Sequence, residues 1–128
     1  MTRKDARDFA MVMLYQIDLN EPLKEKNKSE YFNAKKLGNQ LSYITEIFHC
    51  YENELETVDG IINECADNWN TSRLSKIDLA ILRLAVIEIR YLDDVPRAVA
   101  INEAVELAKK YGTDESKKFI NGVLSKVK

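Results

Sequence analysis

Apolar positions recur at three- and four-residue steps along most of the chain, the period of an amphipathic α-helix. In the opening stretch Ala6, Phe9, Ala10, Met13, Leu14 and Ile17 keep this step over three turns. Thr2 and Asp5 have the spacing of a capping box, in which side chains satisfy the free N–H groups of the first turn. Beside the apolar seam runs a second stripe of Lys4, Arg7, Met11 and Tyr15, cations leading to an aromatic. Residues 18–40 break the pattern. Pro22 and a run of Asn, Lys and Glu predict a loop, with Ser29 capping a short helix that stops at Gly38. Leu41, Ile44, Phe48, Tyr51, Leu55, Val58, Ile62 and Cys65 then predict one long amphipathic helix, or two with a break near Gly60.

Residues 74–92 are the most apolar segment. Lys76, Arg83 and Arg90 lie seven apart on one narrow stripe, and nearly all the rest is apolar. A helix apolar on almost every side belongs at the centre of a bundle. It is expected to end before Pro96, which disfavours helix at the preceding residue. Residues 97–111 restart a helix with Ala100, Ile101, Ala104, Leu107, Ala108 and Tyr111 inward. Gly112 ends it, and Thr113 or Asp114 caps a last helix with Ile120, Val123, Leu124 and Val127 on its core face and Phe119 at the edge. The fold class is therefore all-α. Only 4 Gly and 2 Pro in 128 residues supply too few turns for a β-sandwich, and the length suits a single domain over residues 1–128.

Charge changes the picture because it is unevenly spread. The chain totals −2, yet residues 41–72 contain no Lys or Arg and carry −7, while residues 109–128 carry +4. The two termini are thus expected to form one basic surface. The negative total argues against sequence-blind binding to any polyanion. No uninterrupted apolar run reaches the ~20 residues of a membrane span. The charged, helical start does not read as a secretion signal, and a reduced, cytoplasmic protein is expected.

Catalytic chemistry is not signalled. His49 and Cys50 are neighbours, so on a helix they point about 100° apart. Cys50 and Cys65 on one continuous helix lie ~22 Å apart, too far for a disulfide. Two Cys and one His fall short of a structural zinc set, and no phosphate-binding or nucleophile motif is present. Asp93–Asp94 reads as a turn and Trp69 as a packing residue. No enzyme activity, cofactor or metal is expected. What remains points to binding. Lys4, Arg7 and Tyr15 combine phosphate-neutralising cations with a face on which a base stacks. The stretch from Tyr111 to Phe119 repeats the mixture and opens a helix N-terminus at Ser116.

Two blocks carry a resemblance to a known family. RKDARDFAMVMLYQIDL (residues 3–19) and RLSKIDLAILRLAVIEIRYLDDVPRAVAINEAVELAKKYGTDESKKFINGVLSKV (residues 73–127) resemble the NusB family of transcription antitermination factors. D-x-A-I-L-R-L-A, D-V-P, I-N-E-A-V-E-L-A-K and K-F-I-N-G-V-L follow in order. The resemblance implies about seven helices in two three-helix groups, and binding of boxA-type single-stranded RNA together with the ribosomal protein NusE. It also implies recruitment with other Nus factors to RNA polymerase, mainly on ribosomal RNA operons. Carried onto this chain, the RNA-binding positions are Arg3, Lys4, Arg7, Tyr15, Tyr111, Glu115, Ser116, Lys118 and Phe119, and the NusE-facing position is Asp78. Asp5 and Asp8 interrupt a terminus that is Arg-rich in the family. Both a monomer and a homodimer through an exposed apolar helix face suit the sequence. The alternative from another class is a helical protein–protein adaptor without RNA binding.

Overall fold

A helix that is apolar all round must be surrounded, and in the computed structural model the 16-residue helix Lys76–Tyr91 has every residue from Leu79 to Glu88 buried. The structure describes residues 1–20, 37–67 and 73–128. Among these the α-helices are α1 (Arg3–Leu19), α2 (Leu41–Cys65), α3 (Lys76–Tyr91), α4 (Arg97–Tyr111) and α5 (Asp114–Ser125), with a 3-10 turn at Gly38–Gln40 leading into α2. The described residues thus form five α-helices rather than about seven. The short helix expected from Ser29 to Gly38 falls mostly, and Trp69 wholly, outside the described residues.

The two expected three-helix groups take an economical form, because they share α3. On one side α1 and α2 pack on α3 and on each other, and on the other side α4 and α5 do the same. The cap expected at Thr2 forms, its hydroxyl accepting from the Asp5 N–H at 3.0 Å. Ser75, which the sequence reading did not single out, caps α3 by accepting from the Asp78 N–H at 3.1 Å. Helix α2 runs unbroken through Gly60. A mid-helix Gly costs about 1 kcal/mol relative to Ala; buried Val58 and Ile62, flanking it, hold the helix to the core. The α1 stripes need one adjustment. Met11 is fully buried, whereas Phe9 and Met13 are only partly so.

Arg7 requires a larger correction. It is not a solvent-facing cation: its Nε donates to both Glu88 oxygens, at 3.1 and 3.0 Å, and the two side chains are 7% and 2% exposed. The Tyr43 hydroxyl donates to Glu88 Oε1 at 3.2 Å, so the cluster ties α1, α2 and α3 together. Burial raises the Glu88 carboxyl above its ordinary range, against the opposing pull of the Arg7 charge and the hydrogen bonds from Arg7 and Tyr43. A second clasp joins the same three helices farther along. Arg83 holds Asp59 of α2 at 2.9 and 2.8 Å and Asp18 of α1 at 3.4 Å, and Lys76 approaches Asp18 at 3.2 Å. At the chain's end the Arg97 guanidinium donates to the carbonyls of Leu124, Ser125 and Val127.

The buried pair gives two expected outcomes. Arg7→Met alone leaves Glu88 uncompensated and lowers unfolding free energy by about 3–5 kcal/mol, whereas Arg7→Met with Glu88→Leu recovers most of the loss in denaturant melts. The pH dependence follows from the raised folded-state value. Between the ordinary carboxylate range and that value, folded Glu88 keeps a proton that the unfolded chain has released. Its contribution is therefore fully present below the ordinary range and is lost as pH rises through the folded value. The stability of wild type relative to Glu88→Gln is expected to fall over that interval; a difference independent of pH would contradict it.

Candidate nucleic-acid interface

With Arg7 fixed inward, the neighbouring positions of α1 are turned toward the end of α4. Asp8 Oδ2 accepts from Lys110 Nζ at 2.6 Å, and Asp8 Oδ1 accepts from the Tyr111 hydroxyl at 2.5 Å. One turn earlier, Lys4 pairs with Glu103 at 3.6 Å. Between the two helices lies a cavity of about 320 Å³ whose lining includes Lys4, Asp8, Glu103, Lys109 and Lys110. The opening helix and the α4–α5 junction, some hundred residues apart, thus share one surface. The hydrogen bond to Asp8 raises the Tyr111 hydroxyl and the Lys110 ammonium above their ordinary values.

A second concavity, of about 210 Å³, lies between the starts of α3 and α5. Its lining includes Arg73, Asp78, Thr113, Glu115, Ser116 and Phe119. The partner-facing candidate Asp78 is therefore brought together with three of the RNA-facing candidates. Asp78 Oδ1 is buried and has no hydrogen-bond partner among the described residues. Glu115 is exposed, and Phe119 is partly buried against the core. Ser116 differs from expectation. It is buried, its hydroxyl accepts from the Thr113 N–H at 3.0 Å, and its own N–H goes to the Thr113 carbonyl at 3.1 Å. Its polar atoms close the turn instead of opening onto solvent, so the expected free N-terminal N–H at Ser116 is corrected.

The remaining candidates sit apart from these two cavities. Arg3 stacks over the Tyr43 ring at 4.2 Å and donates to Gln40 Oε1 at 2.6 Å. Tyr15 packs partly buried against the core. Lys118 is exposed on α5, where it lines two further concavities, one of them with Phe119. Arg73 and the Lys109–Lys110 pair were missed in sequence. The signal for the lysines was present, since two adjacent cations end α4 beside Tyr111. Nothing local marked Arg73, which reaches its place through the fold.

Elsewhere the chemistry is sparse. Burial pushes the Cys50 and Cys65 thiols up, with nearby carboxylates adding to the effect, so neither is an activated thiolate. His49 is exposed and shares a contact with Asn53. Among the described residues no group of three or more His, Cys, Asp or Glu side chains is placed to hold a metal ion, and no helix is long and apolar enough to cross a membrane.

Comparison with known proteins follows the same lines. A model of the NusB family matches residues 4–128. The transcription antitermination protein NusB of Acetivibrio thermocellus is 42% identical over 128 residues, covering 99% of this chain and 88% of its own. A solved structure of T. maritima NusB superposes with a TM-score of 0.78 at 31% identity, over 99% of this chain and 90% of that one. A crystal structure of the antitermination factors NusB and NusE in complex with dsRNA matches with a TM-score of 0.78 at 29% identity, over 98% of this chain and 94% of that one.

The α4–α5 junction yields a prediction of its own. A Cβ on Gly112 would lie 2.6 Å from Ser116 Oγ, 2.7 Å from Ser116 Cβ and 2.9 Å from the Ala108 carbonyl. Gly112→Ala is therefore expected to lower stability by about 1–3 kcal/mol, the range for overpacking, read as a drop in melting temperature. A neutral melt would contradict the close approach.

Proposed function

This chain belongs to the NusB family, and from that premise we propose that it is a non-catalytic transcription antitermination factor that binds RNA together with NusE. The RNA is of the boxA type, single-stranded, and the protein–RNA–NusE unit joins RNA polymerase with other Nus factors, mainly on ribosomal RNA operons. The observation that carries this reading is the shared surface of α1 and the α4–α5 junction, held by Asp8 between Lys110 and Tyr111. One strand laid across it meets cations from both ends of the chain.

The work is divided by residue type. Lys4, Lys109, Lys110 and Lys118 are exposed ammonium groups suited to phosphates. Tyr111 and Phe119 present ring edges or faces to bases. Arg7 acts from within, by setting the rotation of α1. NusE docks around Asp78, whose Oδ1 has no hydrogen-bond partner among the described residues and whose side chain shares a hollow with Glu115. Tethering RNA to two proteins raises affinity through effective concentration rather than through one tight site.

A gel shift with boxA-type RNA against a scrambled RNA, with and without NusE, tests the reading. A boxA preference is expected, strongest with NusE. Equal binding, or none, under both conditions favours a protein–protein adaptor, for which the acidic segment 41–72 would supply the surface. Lys4→Ala and Lys118→Ala are each expected to flatten the plot of log K against log salt by about 0.7, one phosphate each. An unchanged slope in a salt titration removes that lysine from the interface.

A further inference from the structure

The α1–α4 cavity is a poor polyanion site as it stands, because its cations are already answered. Lys4 faces Glu103 at 3.6 Å, Lys109 faces Glu106 at 3.1 Å and Lys110 faces Asp8 at 2.6 Å. Two of these pairs are ordinary. Glu106 is a helical neighbour of Lys109 on α4, and the Lys4 ammonium is long-range and mostly exposed. Asp8 is different. Each of its oxygens has its own donor, both from the end of α4. One oxygen takes an ammonium and the other a phenolic hydroxyl. A phosphodiester likewise offers two unbridged oxygens and a single negative charge to just such a pair of donors.

We infer that Asp8 is an intramolecular stand-in for an RNA phosphate. It holds the Lys110 ammonium and the Tyr111 hydroxyl in the arrangement a backbone phosphate takes, competes with RNA for both, and so sets the affinity and salt dependence of this face. The inference rests on the RNA-binding reading. Its energetics are those of a surface contact. The Lys110 side chain is 62% exposed, and exposed ion pairs are weak enough for an incoming phosphate to displace. The displaced carboxylate stays tethered to α1 and repels the phosphate that replaced it. The competitor thereby holds the donors ready while keeping affinity low, and the face becomes fully effective only when NusE adds its share.

The test uses Asp8→Asn, which is nearly isosteric. Its amide oxygen still accepts from Tyr111, but the negative charge that holds Lys110 is gone. Anisotropy titrations with a boxA-type RNA oligonucleotide and NusE, over a series of salt concentrations, are expected to show binding about fivefold tighter at low salt, the size of one surface ion pair. The salt plot steepens by up to about 0.7, because Lys110, shared with Asp8 in wild type, is given over wholly to a phosphate. Lys110→Met weakens wild type by less than it weakens Asp8→Asn, and it abolishes the whole gain of Asp8→Asn. Glu56→Gln, an equal charge change on α2 outside the cavity, gives no comparable gain. The inference is overturned if Asp8→Asn binds no better than wild type, if Glu56→Gln matches it, or if the gain survives Lys110→Met. Wild type binding boxA RNA while Asp8→Asn leaves affinity and slope unchanged defeats the inference alone. Failure of every form to prefer boxA defeats the RNA reading and the inference with it.

Discussion

The contact of the Arg7 Nε with both Glu88 oxygens is the constraint on which the rest of the molecule turns. Both side chains are out of water, and there the guanidinium and the carboxyl group meet each other's polar atoms. A helix carrying such a group has one acceptable rotation about its axis. Since successive residues are about 100° apart on a helix, fixing Arg7 also fixes Lys4 and Asp8. Those two then meet Glu103, Lys110 and Tyr111 of α4. The buried pair is thus a weak source of stability and a strong source of geometry. Tyr43, by donating to Glu88, brings α2 into the same register.

Much of the architecture was legible in hydrophobic spacing. The all-round apolar segment became the shared central helix, and Thr2, Gly112 and Thr113 stand at the ends they were expected to mark. Periodicity gives no warning about polar groups that turn inward, because it scores every charge as outward. Arg7 and Glu88 are 81 residues apart, and no local spacing connects them. The usable signal was Glu88 itself, a lone carboxylate in an otherwise apolar turn, which required a buried partner. Ser116 misled for a related reason. Its type suits a helix N-terminus, but its hydroxyl closes a local capping box with Thr113 and is not left for a ligand.

The candidate site is better described as two concavities meeting at one junction than as a single basic patch. On the α1 side, carboxylates balance ammonium groups; on the α3 side, Asp78, Glu115 and Phe119 share one hollow. Sequence resemblance assigned Asp78 to a protein partner and its neighbours to RNA. Asp78 lines the same hollow as Glu115, Ser116 and Phe119, so the positions assigned to the two partners adjoin. The charge imbalance along the chain points the same way, since the acidic segment is spent largely on α2, away from both cavities.

The grip of Arg97 on the last carbonyls of the chain has a mechanical side. Helices α4 and α5 are joined at one end by the tight Gly112 turn and at the other by this guanidinium, which sits at the first residue of α4 and holds the final turn of α5. A hairpin fastened at both ends is stiff against splaying. Force applied at Tyr111 is therefore handed on to Phe119 as a tilt of the whole pair, and its amide protons should exchange with solvent as a single cooperative unit.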